Sequence, residues 1–148
     1  MIRILLVDDE RLVRTGLRMI LDGEVDLEVV GEAADGAEAL ALSRSLQPDV
    51  VLMDVRMPRV DGITATARIM ALDPAPAVVV LTTFDLDEHV YAALAAGASG
   101  FLLKDSPEDQ LLAAIRSAGS GVALLAPSVT RRLVAALAPA PGPSRPRP

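Results

Sequence analysis

Cysteine and tryptophan are absent from this chain, histidine occurs once, and aromatic residues make up only 2 % of its 148 positions. Without cysteine there is no disulfide framework and no thiolate chemistry, which suits a cytoplasmic setting. With so few aromatics, the core has to be built from Ala, Val, Leu and Ile. No uninterrupted apolar run approaches the roughly 18 residues that a bilayer span requires. The N-terminus passes at once into a short apolar stretch and a pair of acids, unlike a signal or transit peptide. Net charge is −6, so the basic footprint of a nucleic-acid binder is lacking. Contact with DNA would have to come from a part of the protein outside this chain. Neither G-x-x-x-x-G-K nor G-x-G-x-x-G occurs, which leaves nucleotide-binding readings without support.

What is present is an alternation, five times over, of short β-branched or Leu-rich runs with helical patterns. Residues 2–7 form the first strand candidate. Leu12, Val13, Gly16, Leu17, Ile20 and Leu21 then recur as one face of a helix. Residues 27–33 read as a second strand, and Asp35 followed by Glu38 as a capping-box variant opening a helix to about residue 45. Residues 50–53 are the third strand. A helix is expected over residues 63–72, a fourth strand over 77–81, and an Ala-rich helix capped near Asp85 and closed at Gly97. Residues 100–104 give a fifth strand. Ser106 as N-cap with Pro107 at the first helical position opens a last helix to about residue 118. Strands and helices in this alternation predict an α/β fold, a doubly wound parallel sheet covered on both faces. The strands are continuously apolar, as strands buried on two sides should be. Residues 1–120 are expected to form the domain. In residues 121–148, 127–137 are expected to add a short linker helix, and the Pro-rich end to be a tail.

The strand ends carry the chemistry. In such a sheet, ligands bind at the carboxyl ends of the strands. The polar residues that follow each apolar run are Asp8, Asp9 and Glu10, then Asp54, then Thr82 and Thr83, then Lys104. Asp54 ends a fully apolar run, where an unpaired charge is costly; a shared polar rim explains it. Crowded carboxylates repel one another and favour a hard divalent cation such as Mg²⁺. Lysine and threonine suit phosphate oxygens, and a carboxylate can act as nucleophile to form an acyl phosphate. Each residue alone also has a plainer explanation. Asp8 and Asp9 could begin a helix, Thr82 and Thr83 could merely end a strand, and Lys104 could be an ordinary surface lysine. His89 is expected to be solvated, with no catalytic or metal role.

The stretches LLVDDE, VVLMDVRMPRVDG, VVVLTTFD and AAGASGFLLKD, in this order and spacing, resemble the receiver domain of two-component response regulators over residues 2–120. LTTFDLDEHV and FLLKD look most like the NarL/FixJ subgroup, whose members carry a LuxR-type helix-turn-helix. The resemblance implies a flavodoxin-like receiver fold, five strands in the order 2-1-3-4-5 flanked by five helices. It implies that Asp54 accepts a phosphoryl group from a sensor histidine kinase. Mg²⁺ or Mn²⁺ would be held by Asp8, Asp9, Asp54 and the backbone carbonyl of Arg56, with Asp9 the direct ligand and Asp8 acting through water. Thr82 and Lys104 would bind phosphate, and Phe101 would be the switch aromatic. It further implies a cytoplasmic signalling protein rather than an enzyme or membrane protein, forming a homodimer on phosphorylation and regulating transcription through an output domain that does not follow here. The chain would then be a truncation or a lone receiver. Phe101 has no hydroxyl, so its share of the switch would be packing alone, and Asp105 rather than proline follows Lys104. Arg56 and Phe84 occupy positions that influence acyl-phosphate lifetime, with Phe84 expected to shield the group from water. The other readings are a docking module that is never phosphorylated and a haloacid-dehalogenase-type phosphohydrolase. The latter needs an acid two residues after the nucleophile, where Arg56 stands.

Overall fold

Among the described residues, six parallel strands form one sheet. The computed structural model describes residues 1–55, 57, 60–82, 92–93, 95–120 and 124–125. The first five strands are β1 (Ile2–Val7), β2 (Leu27–Ala33), β3 (Val50–Asp54), β4 (Ala77–Thr82) and β5 (Gly100–Leu103). They give the flavodoxin-like order 2-1-3-4-5 that the resemblance to receiver domains implies. A two-residue strand, β6 (Leu124–Leu125), was not foreseen; it pairs in parallel with Gly100 and Phe101 of β5. The expectations for Arg56, Thr83, Phe84, the cap near Asp85, His89, residues 127–137 and the Pro-rich tail fall outside the described residues.

Four helices are described: α1 (Arg11–Asp22), α2 (Gly36–Leu46), α3 (Gly62–Met70) and α4 (Glu108–Gly119). Residues 92, 93 and 95 are helical and are followed by Gly97 at φ +102°, a left-handed position that glycine adopts without strain. Val13 and Leu17 of α1 line the same small cavity as Leu111 of α4, so these two helices share one face of the sheet. Helices α2 and α3 pack together on the other face. No helix among the described residues is long and apolar enough to cross a membrane.

The core is where the apolar runs placed it. Every residue of β3 is buried, as are residues 4–7 of β1 and residues 78–82 of β4. Two helix readings change. On α1, Val13, Leu17, Ile20 and Leu21 turn inward, but Leu12 is 83 % exposed, Met19 is 73 % exposed, and Gly16, expected on the inner face, is exposed as well. Each helical step turns about 100°, so a sheet-facing arc centred on Val13 and Leu17 leaves Leu12 beyond its edge. The last helix begins at Glu108, one residue later than expected, because Pro107 has extended backbone with ψ 151° and occupies the cap position instead of Ser106. At α2 the expected cap is present. The Asp35 carboxylate accepts from the Glu38 N–H at 2.9 Å, while Glu38 reaches back to the Ala34 N–H at 2.7 Å.

Two glycines bring the loops around β3 into place. Gly62 donates to the Val55 carbonyl at 2.9 Å, and a Cβ there would clash with the Asp54 carbonyl oxygen, far inside van der Waals contact. Gly36 donates to the Val60 carbonyl at 3.0 Å, drawing the start of α2 against the loop after Asp54. Overpacking against rigid backbone costs about 1–3 kcal/mol and sometimes more, so Gly62→Ala should destabilise the fold by at least about 3 kcal/mol in urea unfolding. Gly16, in contrast, sits on the outer side of α1 with no atom within 4 Å of its missing Cβ. Gly16→Ala should therefore stabilise the protein by about 0.5–1 kcal/mol through helix propensity. Equal effects from the two substitutions would show that loop clearance at Gly62 is not limiting.

Candidate functional site

Parallel registers align the strand ends. Val7 lies beside Met53, Asp54 beside Leu81, and Thr82 beside Leu103. The chain leaving each strand therefore reaches the same rim, and main-chain hydrogen bonds hold it there. The Asp8 N–H donates to the Ala33 carbonyl at 3.0 Å, and the Lys104 N–H to the Thr82 carbonyl at 2.6 Å.

Asp8, Asp54 and Lys104 meet directly. The Lys104 ammonium lies 2.8 Å from Asp8 Oδ2 and 3.1 Å from Asp54 Oδ1. Asp8 is 1 % exposed and Asp54 5 %. Two carboxylates buried this deeply need a compensating charge, since an unpaired buried ion costs several kcal/mol. Lys104 supplies it across 96 residues of sequence. Thr82 is buried at the adjoining strand end, and Phe101 is fully buried one strand further on. Asp9 and Glu10 are exposed, and their carboxylate oxygens lie within 4.8 Å of those of Asp8. Glu10 is thus an acid of the rim that the strand-end pattern contains but the implied ligand set omits. The donors are all oxygens, two of them on solvent-facing side chains, and such a set suits a hard divalent cation that keeps some of its water. Asp8 Oδ1 also accepts from the Glu10 N–H at 2.8 Å, so the plainer role of Asp8 in the turn before α1 is real and coexists with its contact to Lys104.

The electrostatics follow the geometry. Burial, reinforced by the neighbouring Asp8 charge, pushes the Asp54 carboxyl up to about 6, against the opposing pull of Lys104. Burial would lower Lys104, but its hydrogen bond to Asp8 and the charge of Asp54 outweigh that and raise it. A carboxyl raised to about 6 is still mostly ionised at neutral pH. A cavity of about 560 Å³ opens at the opposite end of the sheet, lined by Asp49, Met70, Pro76 and Ser99 among others, and touches none of these acids.

The sheet order and the acidic rim at its carboxyl end define the class: a flavodoxin-like domain whose candidate site lies where the strands end. The response regulator receiver domain family matches residues 4–116. The chain is 47 % identical over 123 residues to the uncharacterized transcriptional regulatory protein YxjL of Bacillus subtilis, covering 83 % of this chain and 56 % of that protein. It is 43 % identical over 137 residues to the transcriptional regulatory protein LiaR of the same organism, covering 93 % and 65 %. The crystal structure of a LuxR-family two-component response regulator from Aurantimonas sp. SI85-9A1 superposes with a TM-score of 0.86 at 35 % identity, covering 91 % of this chain and 96 % of that one. The chain belongs to the response regulator receiver family and is of the NarL/FixJ type. It spans 56 % and 65 % of the two Bacillus relatives' own lengths.

The Asp54 shift gives a stability test. A free aspartate titrates near 3.8, so between about pH 4 and 6 the folded state binds the extra proton. Raising the pH through that window lowers stability, and the loss is complete above the folded value. With a chelator present, Asp54→Asn should abolish this slope and be more stable than wild type at pH 7 by on the order of 1–2 kcal/mol, because Lys104 keeps Asp8 as a partner. Urea unfolding at pH 4.5 and 7 checks it, and a variant no more stable at pH 7 would contradict the burial of a charged Asp54.

Proposed function

We propose that this receiver is a phosphorylation switch in which Asp54 takes a phosphoryl group from a sensor histidine kinase. The observation that carries the reading is the Lys104 ammonium held between Asp8 and Asp54 at the carboxyl end of the sheet. An Asp54 carboxylate oxygen attacks phosphorus, forming the O–P bond of an acyl phosphate, while the P–N bond to the donor imidazole breaks. Asp8, Asp9, Asp54 and the Arg56 carbonyl would hold Mg²⁺ or Mn²⁺, with Glu10 close by. When bound, the ion neutralises charge on the acids and the transferred oxygens. The chain's own part is mostly positioning and charge compensation. Lys104 exchanges a carboxylate oxygen for a phosphoryl oxygen, Thr82 turns its hydroxyl toward the same group, and Phe101 repacks behind it. That biases a two-state surface by local charge. The proposed outcome is homodimerisation in the cytoplasm and control of transcription through a LuxR-type helix-turn-helix joined to this receiver. Support for that output comes from the names of YxjL and LiaR as transcriptional regulatory proteins.

Intact mass after incubation with acetyl phosphate is the direct test. One added phosphoryl group is expected, dependent on both a divalent cation and Asp54, and absent from Asp54→Asn. A folded protein that binds Mg²⁺ yet gains no mass would favour a docking module that is never phosphorylated. Thr82→Ala should still gain the phosphoryl group but fail to shift to a dimer by light scattering; undiminished dimerisation would remove Thr82 from the switch.

A further inference from the structure

Every polar atom of Asp8 has a partner, and one of those partners lies outside the acidic rim. Its N–H goes to Ala33, Oδ1 takes the Glu10 N–H, and Oδ2 takes Lys104. The remaining carbonyl oxygen accepts from Arg14 Nη1 on α1. The same guanidinium donates from Nε to Glu32 Oε1 of β2 at 2.9 Å, and Arg18 one turn on donates to Glu32 Oε2 at 2.9 Å. The Arg14 side chain is only 15 % exposed. Burial would raise the Glu32 carboxyl, but the two arginines hold it below its ordinary value, so the acid stays charged as their anchor.

The carbonyl that Arg14 holds belongs to the peptide joining Asp8 to Asp9. Asp9 itself is exposed, and its side chain makes no hydrogen bond among the described residues. Whatever aims its carboxylate must act through the main chain on either side. Asp8 Oδ1 fixes the following N–H, and Arg14 fixes the preceding carbonyl. A fork-shaped guanidinium can grip that carbonyl and a carboxylate together, which an ammonium on a flexible stem cannot do in one geometry.

Resting on the proposed function, we propose that Arg14, anchored by Glu32 and Arg18, is a positioning residue that sets the Asp8–Asp9 peptide so that Asp9 is presented to the divalent cation. Groups that orient metal ligands commonly contribute about 10- to 100-fold in affinity. The test measures Mg²⁺ binding calorimetrically in wild type, Arg14→Ala, Arg14→Lys and Glu32→Gln, at a temperature where circular dichroism shows each folded. Expected is an affinity about tenfold weaker in Arg14→Ala, with smaller losses in the other two. Phosphorylation of Asp54 by acetyl phosphate should be slow in Arg14→Ala at low Mg²⁺ yet return to within about twofold of wild type when Mg²⁺ saturates. A merely structural tie between α1 and β2 would lower the unfolding temperature without this Mg²⁺-dependent recovery. Wild-type affinity in Arg14→Ala, or a rate deficit that saturating Mg²⁺ leaves unchanged, overturns the proposal. If Arg14→Ala does not fold, wild-type affinity in both Arg14→Lys and Glu32→Gln overturns it equally. A wild-type protein that binds no Mg²⁺ overturns the functional reading and this one together, whereas wild-type binding with unaltered variants overturns this one alone.

Discussion

One ammonium group between two buried carboxylates sets the terms for the rest of this rim. Asp8 and Asp54 lie at neighbouring strand ends because β1 and β3 are paired in parallel, and both are almost wholly withdrawn from solvent there. Their repulsion in a poorly solvated place would oppose folding unless a cation sat between them. Lys104 is that cation, and it is delivered by β5, two strands away from β3, with its own N–H tied to the Thr82 carbonyl. The sheet therefore does more than support the site. Its strand order decides which charges meet, and a change in any of three strands would alter the balance.

Much of this is legible in the sequence, for a physical reason. Strands buried on both faces are written as continuous apolar runs, so the polar residue that ends each run is conspicuous. Asp54 after four apolar residues and Lys104 after residues 100–103 are cases in point. Parallel order then carries such residues to one rim without any knowledge of contacts. What could not be read is what depends on angle or on distant partners. Leu12 looked like part of an apolar face, yet an arc only a few residues wide excludes it. Pro107 took the cap position because its extended backbone delays the first helical turn, and no residue pattern separates that case from Ser106 as the cap. The Asp61 carboxylate caps α3 by accepting from the Thr64 N–H at 2.8 Å.

Arg14 and Glu32 show the same limit more sharply. They are 18 residues apart and sit on a helix and a strand, where each reads as an ordinary surface charge. Surface ion pairs usually contribute little. This one differs because its arginine also takes a main-chain carbonyl at the edge of the acidic rim, which no spacing rule reveals. A second ion-pair cluster, in which Arg116 of α4 grips Asp26 at 2.8 Å and Glu24 at 2.7 Å, ties α4 to the connection between α1 and β2 at the far end of the sheet. Its groups are widely exposed and far from the acids, so it serves the packing of α1 and α4 rather than the chemistry.

On the proposed reading, switching is an exchange of partners rather than the creation of new ones. In the unphosphorylated state Lys104 already spends its charge on Asp8 and Asp54. A phosphoryl group on Asp54 brings more negative charge and further acceptor oxygens to the same place, so the lysine has reason to follow it and to loosen its hold on Asp8. Asp8 can tolerate that loss only if a cation takes over, and Asp9 and Glu10 stand on the open side where one could enter. On that reading, metal binding and the pairing of Lys104 are coupled through the charge of Asp8. Coupling of this kind makes the energy gap between the two states depend on charge balance at one rim. Packing at Phe101 and the hydroxyl of Thr82 are then left to convey that gap to the outer surface.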